Sequence, residues 1–220
     1  MVASESTRSV RRVRRRRPRG RPKDADQSRR TRVEILKSAA AAFRRLGYHG
    51  ATVEQIAAAL HMKKGNLYYY FRNKEEILFA CHQYSLDRLL ELLEDIAKSQ
   101  ASADEKLRSL IISAVHTILD ELHGTALLLD LEALSPPHLK LVIARRDEFD
   151  AGVRQVIEEG VGTGVFERGD VKLMSFAILG AVNWIPRWYR PDGPSSSHEI
   201  SDRFADYLVG GLMASSRPSR

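Results

Sequence analysis

Apolar residues recur at helical spacing along most of the chain, and the pattern is sharpest over residues 52–74. Thr52 and Gln55 match the reciprocal capping pair that begins a helix. The stripe that follows, at i, i+3, i+4 and i+7, predicts a short helix with one buried face: Val53, Ile56, Ala57 and Leu60. After a short turn, Leu67 and Phe71 predict a second short helix. Two short helices joined in this way are typical of a helix-turn-helix unit.

The second of these helices carries cations, an amide and phenols at positions that do not point inward: Lys64, Asn66, Tyr68, Tyr69 and Tyr70. Lysine and tyrosine side chains can hold phosphates, and asparagine can pair with a base edge in the major groove. The alternative is a helical hairpin with an aromatic core patch. Three successive tyrosines cannot all face one side of a helix, so the pattern favours DNA contact.

Other periodic segments, bounded by capping residues, prolines and glycines, predict helices along the rest of the chain. They span about residues 28–46, 73–99, 102–122, 124–134, 136–160, 170–186 and 196–212. Gly47 is predicted to stop the first of these. The run Gly160-x-Gly162-x-Gly164 lacks a preceding strand, so it is predicted as an interhelical loop and not as a nucleotide-binding loop. No strand pattern occurs, and we expect an all-α protein.

The stretch from about residue 28 to residue 78 resembles the DNA-binding domain of the TetR family of one-component regulators. The similarity rests on GYxGxTV at 47–53, IA at 56–57, KGNLYYYF at 64–71 and KEEIL at 74–78. It implies a homodimer with a three-helix helix-turn-helix domain over 28–74 and a helical effector-binding and dimerisation domain over 75–216. By position, it implies DNA contacts from Thr52, Lys64, Gly65, Asn66, Tyr68, Tyr69, Tyr70 and Lys74. Lys63 departs from the family, in which a serine often caps the recognition helix.

Composition sets the broad class of the protein. With 220 residues, 43% of them hydrophobic, the chain can bury a sizeable core in one large or two modest domains. No apolar run approaches the roughly 20 residues that span a bilayer, and the N-terminus lacks the apolar segment of a signal peptide. We therefore expect a cytoplasmic protein with no membrane partner and no cofactor. The single cysteine, Cys81, is predicted as a small helix residue, with an exposed thiol sensor as the alternative.

The net charge of +7 is concentrated at the N-terminus. Residues 1–23 hold ten arginine and lysine side chains and one glutamate, a net charge of +9, which leaves −2 for the rest of the chain. We expect residues 1–27 to form a disordered arm that is attracted to a polyanion. Within it, PRGRPK resembles an AT-hook core, whose Arg19 and Arg21 would lie along a narrow minor groove. The alternative is a generic solubilising or RNA-binding tail.

The sequence favours neither a catalytic nor a metal centre. No motif assembles a nucleophile, a base and an oxyanion site, so we expect no enzyme activity. His116, Asp120 and His123 at i, i+4 and i+7 can share one helix face and offer zinc ligands. Because histidines are also common polar lining, we interpret this face as part of an effector site and expect no metal.

A second, narrower resemblance lies at 188–194, where WYRPxGP is similar to TetR-family regulators of fatty-acid and sterol-side-chain degradation. The effectors of that branch are acyl-CoA thioesters, and the resemblance implies such an effector here. An apolar bundle interior suits an acyl chain, and Arg187 and Arg190 can meet phosphates. The alternative is that these aromatics and arginines brace the turn between two dimer helices. The predicted effector residues are His116, Asp120, Asn183, Trp184 and Arg187, and the predicted dimer residues are Phe176, Ile200, Phe204, Leu208 and Leu212.

We therefore predict a homodimeric repressor that binds a palindromic operator on double-stranded DNA and is released by a small effector, an acyl-CoA thioester. The long helix over 73–99 belongs to both predicted domains and so can transmit motion between them. One alternative is a regulator of efflux that responds to another lipophile. Another is an architectural protein that binds A·T-rich DNA without effector control.

Overall fold

The computed structural model describes residues 22–121 and 130–214. No β-strand is found in these ranges, and extended backbone forms only an isolated bridge between Phe166 and Met213, so the predicted all-α class is confirmed. The helices are α1 (Pro22–Gly50), α2 (Val53–Ala59), α3 (Lys64–Tyr70), α4 (Lys74–Ala97), α5 (Ala103–His116), α6 (Pro136–Thr163), α7 (Val171–Trp188) and α8 (Ser197–Gly210). None of these helices is long and apolar enough to cross a membrane.

Side-chain caps fix the starts of several helices, as the sequence predicts. At α2, the Gln55 N–H donates to the Thr52 hydroxyl (3.2 Å) and the Thr52 N–H donates to Gln55 Oε1 (2.9 Å). Asn73 caps α4 by accepting a hydrogen bond from the Glu76 N–H (2.8 Å). Reciprocal pairs of the same kind begin α5 and α8. Each cap satisfies amide groups that have no partner within the helix.

Helix α1 is longer than its apolar spacing predicts. It begins at Pro22, so residues 22–27, predicted as part of a disordered arm, are helical. These residues are polar but contain no helix breaker after Pro22, and proline fits the first position of a helix. At the other end Gly47 interrupts the helix with φ of 69°, which confirms the predicted stop, because glycine adopts this left-handed backbone without strain.

Helix α6 also extends beyond its predicted end. Gly160 and Gly162 lie within it, so the predicted interhelical loop is wrong at these two positions, and Gly164, with φ of 76°, caps the helix. A Cβ built on Gly160 would lie 2.1 Å from the Phe166 ring. The glycine therefore serves packing within a helix and does not form a loop.

The region after α5 differs from the prediction as well. The α-helix ends at His116 and continues as a π-helical turn (Thr117–Glu121), whereas an α-helix was expected to about residue 122. The predicted helix over 124–134 lies largely outside the described residues, and its last part is a 3₁₀ turn (Leu131–Ala133).

The helices enclose two apolar cores that share α4. The first core is formed by α1, α2, α3 and the first half of α4, and its buried side chains include Phe43, Ile56, Leu67 and Ile77. The second is formed by the rest of α4 with α5, α6, α7 and α8, and includes Leu89, Leu107, Ile157 and Ala205. Leu134 and Val142, which come from the beginning of the α6 region, pack into the first core. The two halves are therefore joined through α4 and through the start of α6.

Candidate nucleic-acid interface and effector pocket

Helix α3 divides its residues between the core and solvent. Leu67 and its neighbour Phe71 are buried, whereas Tyr69 is 82% exposed and Tyr68 is 43% exposed. The Tyr69 and Tyr70 rings meet edge to face, with centroids 5.3 Å apart. Lysine, glycine and asparagine at the start of the helix are also exposed: Lys64, Gly65 and Asn66. These five side chains and backbone positions lie outside the core, where a major groove can reach them, whereas Tyr70 is half-buried and packs against the core.

Lys64 already has a partner on this surface. Its ammonium forms an ion pair with Glu54 of α2 and lies 5.6 Å from the Tyr68 ring centroid. The hydrogen bond in this pair lowers the pKa of the Glu54 carboxyl and raises the pKa of Lys64. Because both side chains are exposed, the pair is weak, and a DNA phosphate can replace Glu54 at little cost.

The two ends of α3 are held by different means. At the start, Lys63 provides no side-chain cap, because an ammonium cannot accept a hydrogen bond from an amide. At the end, the Arg32 guanidinium donates to the Tyr70 carbonyl (3.1 Å) and lies 4.2 Å from the Phe71 ring centroid. Arg32 is 38 residues from Tyr70 in the chain, so no local sequence pattern pointed to this contact.

Lys74 has a structural role that the sequence analysis missed. Its ammonium donates to the carbonyls of Tyr48 (2.7 Å) and Ala51 (2.9 Å) and lies 4.3 Å from the Tyr48 ring centroid. Two of its three hydrogens are thus used to hold the α1–α2 turn against the start of α4. A DNA contact by Lys74 stays a prediction, as does one by Thr52, whose hydroxyl caps α2.

A second connection joins the two halves beside α4. The Tyr48 N–H donates to Asp130 (2.6 Å), and the Glu75 carboxylate accepts from the Ser135 N–H (2.9 Å) and contacts His138 Nδ1 (2.8 Å). The His138 ring stacks on Phe79 with centroids 3.9 Å apart. Burial raises the pKa of Glu75, but the hydrogen bonds from Ser135 and His138 outweigh it and lower that pKa. We call these contacts the interdomain clamp.

An apolar cavity lies inside the second core, between α4, α5, α6 and α7. Its lining is aliphatic and aromatic, and Asn183 adds a polar group: Leu89, Leu107, Leu110, Ile111, Ala114, Ile118, Phe149, Val153, Ile178, Leu179, Val182 and Asn183. The free volume is about 20 Å³, far below the roughly 300–1,000 Å³ of a typical ligand pocket. The cavity is therefore too small for an acyl chain in this state, and such a ligand enters only if the helices around it separate.

The five predicted effector residues do not share one site. Asn183 lines the cavity, whereas Trp184 is 62% exposed and Arg187 also faces solvent. His116 and Asp120 lie at a third place, between the end of α5 and the start of α8. The sequence placed Asn183, Trp184 and Arg187 close together on one helix, but it did not show which of these side chains face the cavity and which face solvent.

His116 and Asp120 are engaged with α8. His116 Nδ1 lies 2.9 Å from Asp120 Oδ2, and Asp120 also accepts from the Ser197 hydroxyl (2.9 Å). The Ser201 hydroxyl lies 3.2 Å from His116 Nε2. These contacts fasten α8 to α5. His123, the third member of the possible zinc trio, lies outside the described residues.

The predicted dimer residues also divide. Ile200 is buried in its own core, and Phe204, Leu208 and Leu212 pack against that core. Phe176 is 50% exposed. It belongs to an apolar surface that runs along α7, which we call the outer stripe: Leu173, Phe176, Trp184 and Trp188. The sequence analysis missed Leu173 and Trp188, because an apolar repeat does not show whether its residues face the protomer's own core or another surface.

Two titratable groups are buried in the middle of α4. Burial raises the pKa of the Cys81 thiol to about 12, so the alternative of an exposed thiol sensor is wrong. His82 is 0% exposed, and neither ring nitrogen has a hydrogen-bond partner among the described residues. Burial, with a smaller contribution from the nearby Arg146 charge, lowers the pKa of His82 to about 4. The imidazole is therefore neutral near pH 7.

The fold and the exposed face of α3 define a helix-turn-helix protein with a helical second domain. Two family models match the chain: "Bacterial regulatory proteins, tetR family" over residues 35–81, and "Tetracyclin repressor-like, C-terminal domain" over residues 100–212. The chain belongs to the TetR family of regulatory proteins. The resemblance implied by the residues around α2 and α3 is thereby confirmed, and it extends through the second domain.

Individual relatives are similar along most of their length. The HTH-type transcriptional repressor KstR2 of Mycobacterium tuberculosis is 28% identical over 82% of this chain and 92% of its own. The fatty acid metabolism regulator protein of Bacillus subtilis is 29% identical over 82% of this chain and 94% of its own. A crystal structure of AibR in complex with isovaleryl coenzyme A and operator DNA is 27% identical, with a TM-score of 0.68, over 83% of this chain and 98% of that one.

Proposed function

We propose that the protein is a homodimeric transcriptional repressor that binds a palindromic operator and is released by an acyl-CoA thioester. The exposed surface of α3 carries this proposal, because Tyr69 and Asn66 offer base-reading groups on a helix fixed from behind by Leu67. Two copies related by a two-fold axis present two such helices to successive major grooves, about 34 Å apart. Arg19 and Arg21, outside the described residues, are proposed to add minor-groove contacts.

The dimer interface is proposed to lie on the outer stripe. Contiguous exposed apolar side chains of this size mark association surfaces in soluble proteins, and Trp184 alone is 62% exposed. Gly180 lies in the same stretch of α7, and a Cβ built there meets nothing within 4 Å, so a partner helix can approach closely. Phe176 stays in the proposed interface, while Ile200 is assigned to the protomer's own core.

The effector proposal rests on the small apolar cavity and on the relatives. KstR2, the fatty acid regulator and AibR bear names that refer to steroids, fatty acids or isovaleryl coenzyme A. An apolar interior suits an acyl chain, but ligand pockets usually measure about 300–1,000 Å³. Effector binding must therefore select a state in which the helices around the cavity have moved apart.

That movement can reach DNA through α4. Leu89 of α4 lines the cavity, and Lys74 at the start of the same helix holds the α1–α2 turn. An effector releases DNA only if it binds the DNA-incompetent state better than the DNA-bound one. A shift of α4 that changes the distance between the two α3 helices provides this difference.

The test is a titration of acyl-CoA thioesters of increasing chain length against a labelled operator, with free CoA and the free acids as matched controls. We expect a medium- or long-chain thioester to dissociate the complex at stoichiometric ratios and to raise the melting temperature. The controls are expected to do neither. If a neutral lipophile dissociates the complex and every thioester fails, the regulator assignment stands and the acyl-CoA assignment falls.

A further inference from the structure

A wide groove separates helix α1 from the turn that follows α7. Its volume is about 1,130 Å³, and it is lined on one side by α1 and α2 and on the other by Arg190. Four cations line it, and we call it the basic groove: Lys37, Arg44, Arg45 and Arg190. Three of these cations belong to the DNA-binding half, and Arg190 belongs to the second half.

The cations of the basic groove have no partner among the residues that the structure describes. Elsewhere, Lys106 pairs with Glu159 and Arg154 pairs with Asp150. The four groove cations form no ion pair and no side-chain hydrogen bond with any residue in 22–121 or 130–214. Glu34 adds one carboxylate to the lining, so positive charge exceeds negative charge there by three. Like charges gathered without counter-charges repel one another, and a bound anion relieves that repulsion.

The position of Arg190 is fixed by the turn that carries it. The Gly193 N–H donates to the Arg190 carbonyl (2.9 Å), and a Cβ built on Gly193 would lie 2.9 Å from that oxygen. Glycine is therefore needed for this tight turn, and the turn holds Arg190 beside α1. The tight turn explains why the WYRPxGP motif has glycine at position 193.

The location of the groove indicates which anion it receives. Helix α3 does not line it, so the base-reading side chains Asn66 and Tyr69 are not part of this groove. Asn183, on the wall of the apolar cavity, lies near the C-terminal end of α7, and Arg190 follows two residues after that helix ends at Trp188. A ligand whose apolar chain fills the cavity can therefore extend its polar end into the groove.

We propose that the basic groove binds the phosphate groups of the effector, with Arg190 and Arg45 as its principal ligands. The proposal rests on the acyl-CoA function proposed above and adds the residues that recognise the nucleotide end. Because the ligands come from both halves of the chain, the bound effector touches α1 directly. The effector then acts on the DNA-binding half through its head group as well as through α4.

The experiment compares an acyl-CoA with the acyl-pantetheine thioester of the same chain, which has no phosphate. Binding of both is measured by calorimetry to the wild type, Arg190→Gln and Arg45→Gln. Arg168→Gln is the matched control, because Arg168 is exposed and lies before α7, at the other end of that helix from Arg190. We expect each groove variant to lose about tenfold in acyl-CoA affinity, with acyl-pantetheine affinity unchanged. Arg168→Gln is expected to change neither.

The possible results separate the two proposals. If the wild type prefers acyl-CoA and both groove variants keep that preference, the groove assignment is overturned while the acyl-CoA function stands. If the variants lose operator affinity and keep acyl-CoA affinity, the groove is a DNA contact and the proposal is again overturned. If the wild type binds neither thioester, the acyl-CoA function and the groove assignment fall together.

Discussion

The molecule has two exposed aromatic surfaces with opposite chemistry. On α3, Tyr68 and Tyr69 carry hydroxyl groups and lie beside a lysine and an asparagine. On α7, the outer stripe carries leucine, phenylalanine and tryptophan side chains. A tyrosine hydroxyl can form hydrogen bonds both in water and on nucleic acid. The apolar side chains of the outer stripe instead lower the free energy only when a partner removes them from water. We propose that both surfaces bind partners, and the groups beside the aromatic rings indicate the kind of partner.

The largest expected effect is on the outer stripe. Phe176→Arg places one charge from each copy in an apolar interface, at a cost of about 5 kcal/mol or more for the pair. We expect a folded monomer that no longer binds the operator. Sedimentation gives the oligomeric state, and circular dichroism gives the fold. A dimeric Phe176→Arg variant would show that the interface lies elsewhere.

Phe204→Arg is the comparison for that variant. Phe204 packs against its own core, with its ring 6.1 Å from that of Trp188. The charge should therefore lower the melting temperature as well as weaken the dimer. Equal stability of the Phe176→Arg and Phe204→Arg proteins would contradict the assignment of Phe176 to the protein surface and of Phe204 to the protomer's own core.

The next effect concerns the α3 surface. Asn66→Ala and Tyr69→Ala each remove a proposed base contact worth roughly 1–3 kcal/mol, and a dimer loses two. We expect specific binding to fall by about 2–6 kcal/mol with the melting temperature unchanged. Operator and scrambled duplexes are compared by fluorescence anisotropy. Unchanged discrimination in both variants would remove these residues from the reading surface.

His82 tests whether the two cores that carry these surfaces unfold together. The folded pKa is about 4, below the roughly 6.5 of an unfolded histidine. As the pH falls through this window, the unfolded chain binds a proton that the folded chain does not. Stability should therefore fall by about 2 kcal/mol between pH 7 and pH 5, and by about 3 kcal/mol by pH 4. The loss is measured by denaturant unfolding.

The His82 experiment needs two variants and two probes. His82→Leu should remove most of the pH dependence, and His49→Gln, at an exposed histidine, should keep it. Both tryptophans lie in the second half, so their fluorescence reports that half while circular dichroism reports all helices. The same pH dependence in wild type and His82→Leu would rule out His82 as its source.

The smallest effect separates two lysines near the α3 surface. Lys74→Met leaves the Tyr48 and Ala51 carbonyls without their donor, and we expect a loss of about 2 kcal/mol in the free energy of unfolding. Lys64→Met removes an exposed ion pair with Glu54 and an exposed contact with the Tyr68 ring, so we expect little change in its stability, while operator affinity falls. A stable Lys74→Met protein with weak operator binding would instead favour a phosphate contact.

The sequence predicted the DNA-binding half closely because its signals are local. The Thr52–Gln55 cap and the inward Leu67 depend on residues within one or two turns, and both are confirmed. The contacts that were missed are long-range: Arg32 reaches Tyr70, and Lys74 reaches Tyr48. Each of these contacts depends on one side chain and a distant partner, so no repeating pattern in the sequence indicates it.

The second half shows the limit of periodicity. Ile200 and Leu208 form a regular apolar stripe on α8, but regularity alone does not distinguish the core of one protomer from contact between two. Similarly, His116 and Asp120 share a face as expected, yet their partners, Ser197 and Ser201, are about 80 residues away. Only the packing of α5 on α8 decides what that face touches.

The interdomain clamp restricts how the DNA-binding half can move. A rigid body attached at one point can turn about three axes, whereas a body attached at two points can turn only about the line that joins them. The start of α4 is one attachment, with Glu75 holding the beginning of α6, and the Tyr48–Asp130 hydrogen bond is the other. These two contacts oppose any rotation of the recognition helix other than a swing about the line from Glu75 to Asp130, and Leu134 and Val142, which pack into the first core, oppose that swing as well.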